Sequence, residues 1–190
     1  MDVRIVKPGP EHLASYAAAL ERGWSPDNVR GAIASREELA AIAADPVAFL
    51  AQLDDPEALG PPRTAPDGAV MERLPGYRRW VWDGEFAGSI GFRWPRGGGP
   101  LPPHVLGHIG YAVPPWKEGC GYATAALAAI LADACKLGLT FVELTTDPEN
   151  PASQRVIVKN GGILVGRFDK PSMYGGGAGL LWRIDLPAEP

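Results

Sequence analysis

The spacing of apolar positions changes period several times along the chain, and each change predicts a new element. Val3 to Lys7 alternates as a short strand, Pro8-Gly9-Pro10 breaks it, and His12 to Arg22 carries Leu13, Tyr16, Ala17 and Leu20 at helical spacing. Ser25-Pro26 has the pattern of a helix start, Ser35 to Glu38 fits a capping box, and Asp45-Pro46 restarts a turn through Phe49, Leu50 and Leu53. Several linked helices are therefore expected over residues 26 to 53. Asp54 to Gly76 is rich in Pro, Gly and charge and predicts a long surface connection, either facing a substrate or serving as a mobile spacer. Arg78 to Trp82 and Phe86 to Trp94 flank Asp83-Gly84, a hairpin signal, and a further strand, Val105 to Val113, follows the loop Gly97 to Pro103. Past Pro114-Pro115 the period becomes helical, with Ala123, Leu127, Ile130, Leu131, Ala134 and Leu137 on one face and Gly138 at the stop. Phe141 to Thr146 reads as a strand. Asn150-Pro151 opens a second helix to about Asn160, and Ile163 to Phe168 and Leu180 to Leu186 are the last strands, separated by Gly175-Gly176-Gly177. The order β, several α, three β, α, β, α, two β predicts one mixed α/β (α+β) sheet domain over residues 1–190.

Composition narrows the function classes. The chain has 190 residues, 46% hydrophobic and 21% charged, which is enough for a sizeable core, and its 24 Gly and 20 Pro put many turns between elements. Its formal net charge is -4, and no basic run exceeds Arg78-Arg79, so no stripe exists to neutralise a phosphate backbone and nucleic acid is not expected as a partner. The start, Met1-Asp2-Val3-Arg4, lacks a secretion pattern and no segment has the length to span a bilayer, so a cytoplasmic protein without membrane contact is expected. Cys120 and Cys135 then read as reduced thiols. The histidines His12, His104 and His108 have no spacing suited to zinc, and no metal is expected.

The stretch from Gly107 to Thr124 carries the chemistry. A strand passes through a glycine-bearing turn, Lys117-Glu118-Gly119-Cys120-Gly121, into a helix beginning near Tyr122-Ala123. The first amides of a helix have no internal partners and sit at the positive end of its dipole, so such a turn can aim several N–H groups at one diphosphate. The pattern is not a Walker loop, since no Lys-Ser or Lys-Thr follows the glycines, and it lacks the dinucleotide GxGxxG fingerprint. By themselves, two glycines before a helix are more often a structural turn.

Together with the downstream elements, this stretch resembles the GNAT superfamily of N-acetyltransferases, whose Q/R-x-x-G-x-G/A loop binds the pyrophosphate of acetyl-CoA. Here the motif reads Glu118-Gly119-Cys120-Gly121-Tyr122-Ala123, and Asn150-Pro151-Ala152-Ser153 followed by Val156 to Gly162 resembles the family's second helix. The likeness runs from about Trp80 to Phe168. It implies a central, mostly antiparallel sheet with a parallel splayed pair, flanked by helices. It also implies acetyl-CoA as co-substrate, bound between the Val105 and Phe141 strands by Ala112, Val113, Lys117, Glu118, Gly119, Cys120, Gly121, Tyr122 and Ala123, with Asn150 and Ser153 at the pantetheine arm. Two positions depart from the family. Glu118 stands where Arg or Gln is usual, which weakens diphosphate binding unless it turns away or pairs with Lys117. Ile157 replaces a frequent tyrosine that protonates the departing thiolate; a thiol of pKa near 8.5 also leaves as the anion.

Acyl transfer from a thioester needs a neutral amine, an aligned approach and a donor to the oxyanion. A free N–H near Ala112-Val113 could supply that donor. An alkyl amine of pKa near 10.4 is less than about 0.1% neutral at pH 7, whereas an α-amine near 8 is about a tenth neutral, so the acceptor decides how much a base matters. Glu143 is the candidate base, by analogy with a catalytic Glu in some members; its alternative is a strand carboxylate satisfied by a cation. His108 has a suitable pKa range, with a hydrogen-bonded sheet histidine as alternative. Tyr111 lies on the opposite strand face from His108, so the two cannot enter one pocket from a regular strand. Cys120, at a helix start, raises the different hypothesis of a thiol enzyme, although no His or Asp lies near it in sequence. Trp24, Trp80, Trp82, Trp94 and Trp182 read as core or sheet-face residues, and Trp116 as a flank of the loop. The expected function is acetyl transfer to a primary amine of a small molecule or peptide by direct attack. A CoA-binding module without catalysis is the alternative, and free sheet edges leave room for a homodimer.

Overall fold

The computed structural model describes residues 3–64, 70–97 and 99–187. The chain opens with β1 (Arg4–Val6), α1 (Pro10–Glu21), α2 (Ala32–Ala44) and α3 (Pro46–Gln52). The short strands β2 (Asp54–Asp55), β3 (Arg63–Thr64) and β4 (Val70–Met71) lead to the hairpin β5 (Gly76–Trp82) and β6 (Phe86–Arg93), then β7 (Ile109–Ala112). After one 3-10 turn, Pro115–Lys117, come α4 (Tyr122–Lys136), β8 (Phe141–Thr146), α5 (Pro151–Lys159), β9 (Ile163–Asp169) and β10 (Ala178–Asp185).

The strands form two main sheets, ordered β1-β5-β6-β7 and β8-β10-β9, with β2 on β5 and a separate β3-β4 ladder. Every ladder among the described residues is antiparallel. This is the expected mixed α/β architecture with helices on both faces. The expected parallel pair is not among the ladders: β7 and β8 stay in different sheets and touch at a single junction described below.

Strand alternation divides the core in two. Val81, Ile90, Phe92 and Ile109 face α4, meeting Ala126, Leu127, Ile130 and Ala134, while Val142, Leu144, Trp182 and Ile184 continue that layer into the second sheet. The alanines on α4 let it lie close to the strands, as the sequence pattern implied. On the opposite face Trp80 stacks on Tyr16 of α1 at 4.2 Å, with Trp24, Phe49 and Phe86 around them. A polar bridge crosses this second core, where Tyr16 donates to Glu38 of α2 and Arg78 of β5 reaches the same carboxylate at 2.9 Å. Burying these charged groups is tolerable because they are paired.

Two predicted helix starts are absent. The Asp27 carboxylate takes the amides of Val29 and Arg30, closing an isolated turn, and α2 begins only at Ala32, after Gly31. Ser35 is therefore inside α2, where its hydroxyl donates to the Trp24 carbonyl at 2.8 Å instead of capping. Asp45 does cap α3, accepting from Val47 and Ala48. The strand expected from Val105 shortens to Ile109–Ala112, because its partner β6 ends at Arg93 before Trp94-Pro95 and leaves residues 105–107 without a ladder. No helix among the described residues is long and apolar enough to cross a membrane. β9 forms a sheet edge, with Ile163, Leu164 and Val165 about half exposed.

Candidate functional site

The site begins where the two sheets meet. His108 donates its N–H to the Glu143 carbonyl at 2.8 Å, its own carbonyl takes the Arg93 N–H at 2.8 Å, and its ring Nδ1 accepts the Glu143 N–H at 3.0 Å. Gly107 makes this junction sterically feasible: a Cβ there would stand 2.8 Å from the Glu143 carbonyl oxygen. Beyond this point, among the described residues, β7 pairs as a strand only with β6, and β8 only with β10, so the strands part and leave a wedge. The Arg93–His108 bond sets the alternation of the β6–β7 ladder, with Gly110 and Ala112 bonding to β6. The N–H groups of Tyr111 and, by continuation, Val113 therefore face the wedge. Of the two backbone positions proposed from sequence, Val113 lies on that side and Ala112 turns toward Ser89.

At the mouth of the wedge the chain passes from the 3-10 turn through Glu118-Gly119-Cys120-Gly121 into α4. Gly119 and Gly121 hold φ of +76° and +80°, the left-handed region that costs side-chain-bearing residues energy. No side chain caps α4, and its first turn carries no acidic residue. The amides of Gly119, Cys120, Gly121, Ala123 and Thr124 find no acceptor among the described residues. This is a row of exposed donors at a helix N-terminus, fit for a diphosphate. Glu118 is exposed, and of the two arrangements open from sequence it does not pair with Lys117. Lys117 instead bonds Asp83 at 2.8 Å and Glu85 at 2.7 Å, directing its ammonium at the β5–β6 turn rather than the open side of the loop. Tyr122 also donates to Asp83, at 2.5 Å. Sequence reading missed Asp83, whose Asp-Gly context announces only a turn and whose partners lie 34 and 39 residues away.

The other wall is α5. Asn150 caps it, accepting the Ser153 amide at 3.0 Å, and Tyr111 reaches across from β7 to the Ser153 hydroxyl at 2.8 Å and carbonyl at 3.1 Å. Burial pushes the Tyr111 phenol up to about 12 against the smaller lowering effect of Ser153, so it stays protonated and can donate. Ile157 is wholly buried in the core. An open groove of about 440 Å³, lined by Val158 and Trp182 among others, lies on the flank of α5 away from Tyr111 and the wedge.

Glu143 projects from the half-buried face of β8 and accepts from Arg183 of β10 at 2.7 Å; the same guanidinium lies 4.1 Å from the centre of the Phe141 ring. His108 is 2% exposed, and with Nδ1 committed to the main chain it joins the sheets and does not offer that lone pair to a substrate. This is the geometry of the hydrogen-bonded sheet histidine, the alternative reading of His108 from sequence. Burial lowers the His108 pKa, with the nearby Glu143 charge opposing, so the unfolded chain binds a proton more readily than the native one near pH 6.5. Stability therefore rises with pH through the window below about 6.5 and falls on acidification. Urea unfolding from pH 5 to 7.5 should show a slope that His108→Gln removes; an unchanged slope would refute it.

Cys120 is exposed with its thiol at 3.6 Å from the Glu118 carbonyl, and Cys135 is separate; both are free. Among the described residues no three His, Cys, Asp or Glu side chains gather as a metal site.

Residues 32–163 match the family model described as the acetyltransferase (GNAT) domain. No curated protein matches the chain by sequence. Solved structures share its fold. The microcin C7 self-immunity acetyltransferase MccE, in complex with acetyl-CoA and AMP, superposes with a TM-score of 0.62 at 10% identity, covering 97% of this chain and 93% of that one. RimL, a ribosomal L7/L12 α-N-protein acetyltransferase in complex with coenzyme A, gives 0.62 at 13% identity, covering 98% and 96%. The ribosomal-protein-S5-alanine acetyltransferase from Vibrio fischeri gives 0.58 at 16% identity, covering 99% and 94%.

Proposed function

The chain belongs to the GNAT acetyltransferase family, and on that premise we propose that it transfers the acetyl group of acetyl-CoA to a primary amine of a small molecule or peptide by direct attack. The observation that carries this reading is the set of amides of Gly119, Cys120, Gly121, Ala123 and Thr124, which find no acceptor among the described residues, at the mouth of the wedge. Those donors, with Cys120 and Gly121 in the turn and Tyr122-Ala123 opening α4, hold the diphosphate; Glu118 stays in solvent. Asn150 and Ser153 of α5 line the path of the pantetheine arm opposite β7.

Acetyl-CoA supplies an activated acyl carbon. The chain supplies orientation, an oxyanion donor and proton transfer. The wedge-facing amide of Tyr111 or Val113 donates to the developing oxyanion. The amine forms the new C–N bond as the C–S bond breaks, and its proton passes, directly or through water, to Glu143, which Arg183 holds in place. The Tyr111 hydroxyl, protonated at neutral pH, turns its one proton from Ser153 to the leaving thiolate, taking over part of what Ile157 cannot do. The fold neighbours that act on ribosomal proteins support a peptide or protein acceptor as one member of this substrate class.

A second reading has its own support: the Glu143–Arg183 ion pair and the buried Ile157 suit a domain that binds the coenzyme with little catalysis. Calorimetry with CoA and thiol release over a panel of amines separate the two. The expected results are CoA binding and amine-dependent thiol release, with Glu143→Gln lowering kcat about tenfold for alkyl amines at pH 7 and less for α-amines. Binding without amine-dependent release favours the second reading. Absence of CoA binding removes both.

A further inference from the structure

We propose that Asp83, in the turn between β5 and β6, is the positioning residue of the coenzyme loop, clipping it at both ends so that its amides stay aimed into the wedge. This rests on the reading of residues 118–124 as the diphosphate cradle. The Asp83 side chain is only 3% exposed, although it sits in a hairpin turn. Its two oxygens accept from Lys117 Nζ at 3.1 and 2.8 Å, and Oδ2 also accepts from the Tyr122 hydroxyl at 2.5 Å. Lys117 is the last residue before the loop leaves its 3-10 turn, and Tyr122 is the first residue of α4. In the glycine-bearing stretch between them the amides of Gly119, Cys120 and Gly121 find no acceptor among the described residues, the Cys120 thiol turns back to the Glu118 carbonyl, and Glu118 is exposed. Glu85 adds a third point of attachment through Lys117 at 2.7 Å. Charge-assisted hydrogen bonds shielded from water are strong enough to fix such a segment, and fixing donors before the ligand arrives removes an ordering cost from binding.

Two physical effects of removing this carboxylate have opposite signs, which makes the proposal decidable. Asp83, Glu85 and Glu118 place three negative charges near the loop against the positive charges of Lys117 and of Arg22, whose guanidinium lies 3.7 Å from the centre of the Trp116 ring. If Asp83 mattered only as a charge, its neutralisation would tighten the binding of a diphosphate. If it positions the loop, neutralisation loosens binding despite the improved charge balance.

The test compares the whole protein with Asp83→Asn and Tyr122→Phe. Hydrogen exchange without coenzyme reads the loop itself at the bonded amides of Lys117, Glu118 and Ala125, and calorimetry with CoA and thiol-release kinetics read the site. Expected in Asp83→Asn are about tenfold faster exchange confined to residues 117–125, and about tenfold higher CoA Kd and acetyl-CoA KM, with kcat at saturation changed less than about twofold. Tyr122→Phe, which keeps the charge and loses one bond, should shift exchange and KM in the same direction by a smaller factor. Unchanged exchange in the loop, or tighter CoA binding by Asp83→Asn, overturns the proposal. A wild-type protein that does not bind CoA overturns the acetyltransferase reading and the coenzyme role of the loop, while the exchange data still decide whether Asp83 holds it.

Discussion

Gly121→Val weakens CoA binding about a hundredfold, equivalent to about 2.7 kcal/mol. At φ +80° and ψ 3° Gly121 sits in the left-handed region immediately before α4. A β-branched residue is strained there, and it relieves the strain by rotating the peptides on either side. Those peptides carry amides of the proposed cradle. Nothing lies within 4 Å of a Cβ at this position, so no core contact is broken and the melting temperature should fall only a few degrees. Calorimetry with CoA, beside a thermal scan, measures both quantities. Affinity within about threefold of wild type would show that the diphosphate is not held by this turn.

Gly107→Ala should have the next largest effect, through the junction and not the cradle. The added Cβ would meet the Glu143 carbonyl oxygen at 2.8 Å and the Leu144 Cα at 3.2 Å, and both contacts are with backbone, which cannot rotate aside. Relief requires β7 and β8 to separate at the root of the wedge, lengthening the His108–Glu143 bonds. Overpacking of this kind costs about 1–3 kcal/mol, and displacement of the reacting geometry by about 1 Å can cost a hundredfold in rate. The expected outcome is destabilisation of about 2 kcal/mol in urea with kcat/KM for acetyl-CoA reduced more than tenfold. Gly110→Ala is the control: its Cβ meets only the Arg93 guanidinium, at 3.7 Å, and both quantities should stay near wild type. Equal behaviour of the two variants would mean that the junction does not set the wedge.

Local chemistry determined much of the fold. The helical stripe on α4, the Asp83-Gly84 hairpin, the Asp45 and Asn150 caps and the strands from Phe141 onward were legible because each depends on neighbours a few residues apart. The helix starts at Ser25 and Ser35 misled for the same local reason: a serine reads as a cap in sequence, but Ser35 found the Trp24 carbonyl eleven residues back. The stretch Glu118 to Ala123 stood out only when read together with the downstream helix and strands, since two glycines before a helix also make an ordinary turn, and the free amides follow from helix geometry. What only the tertiary structure decided is how side chains far apart in sequence divide their bonds. Glu143 met Arg183, His108 gave its ring nitrogen to a main-chain amide, Tyr111 met Ser153, and Lys117 met Asp83. A side chain has few hydrogen-bonding groups, and which partner occupies them depends on strand register and sheet order, which no local pattern encodes.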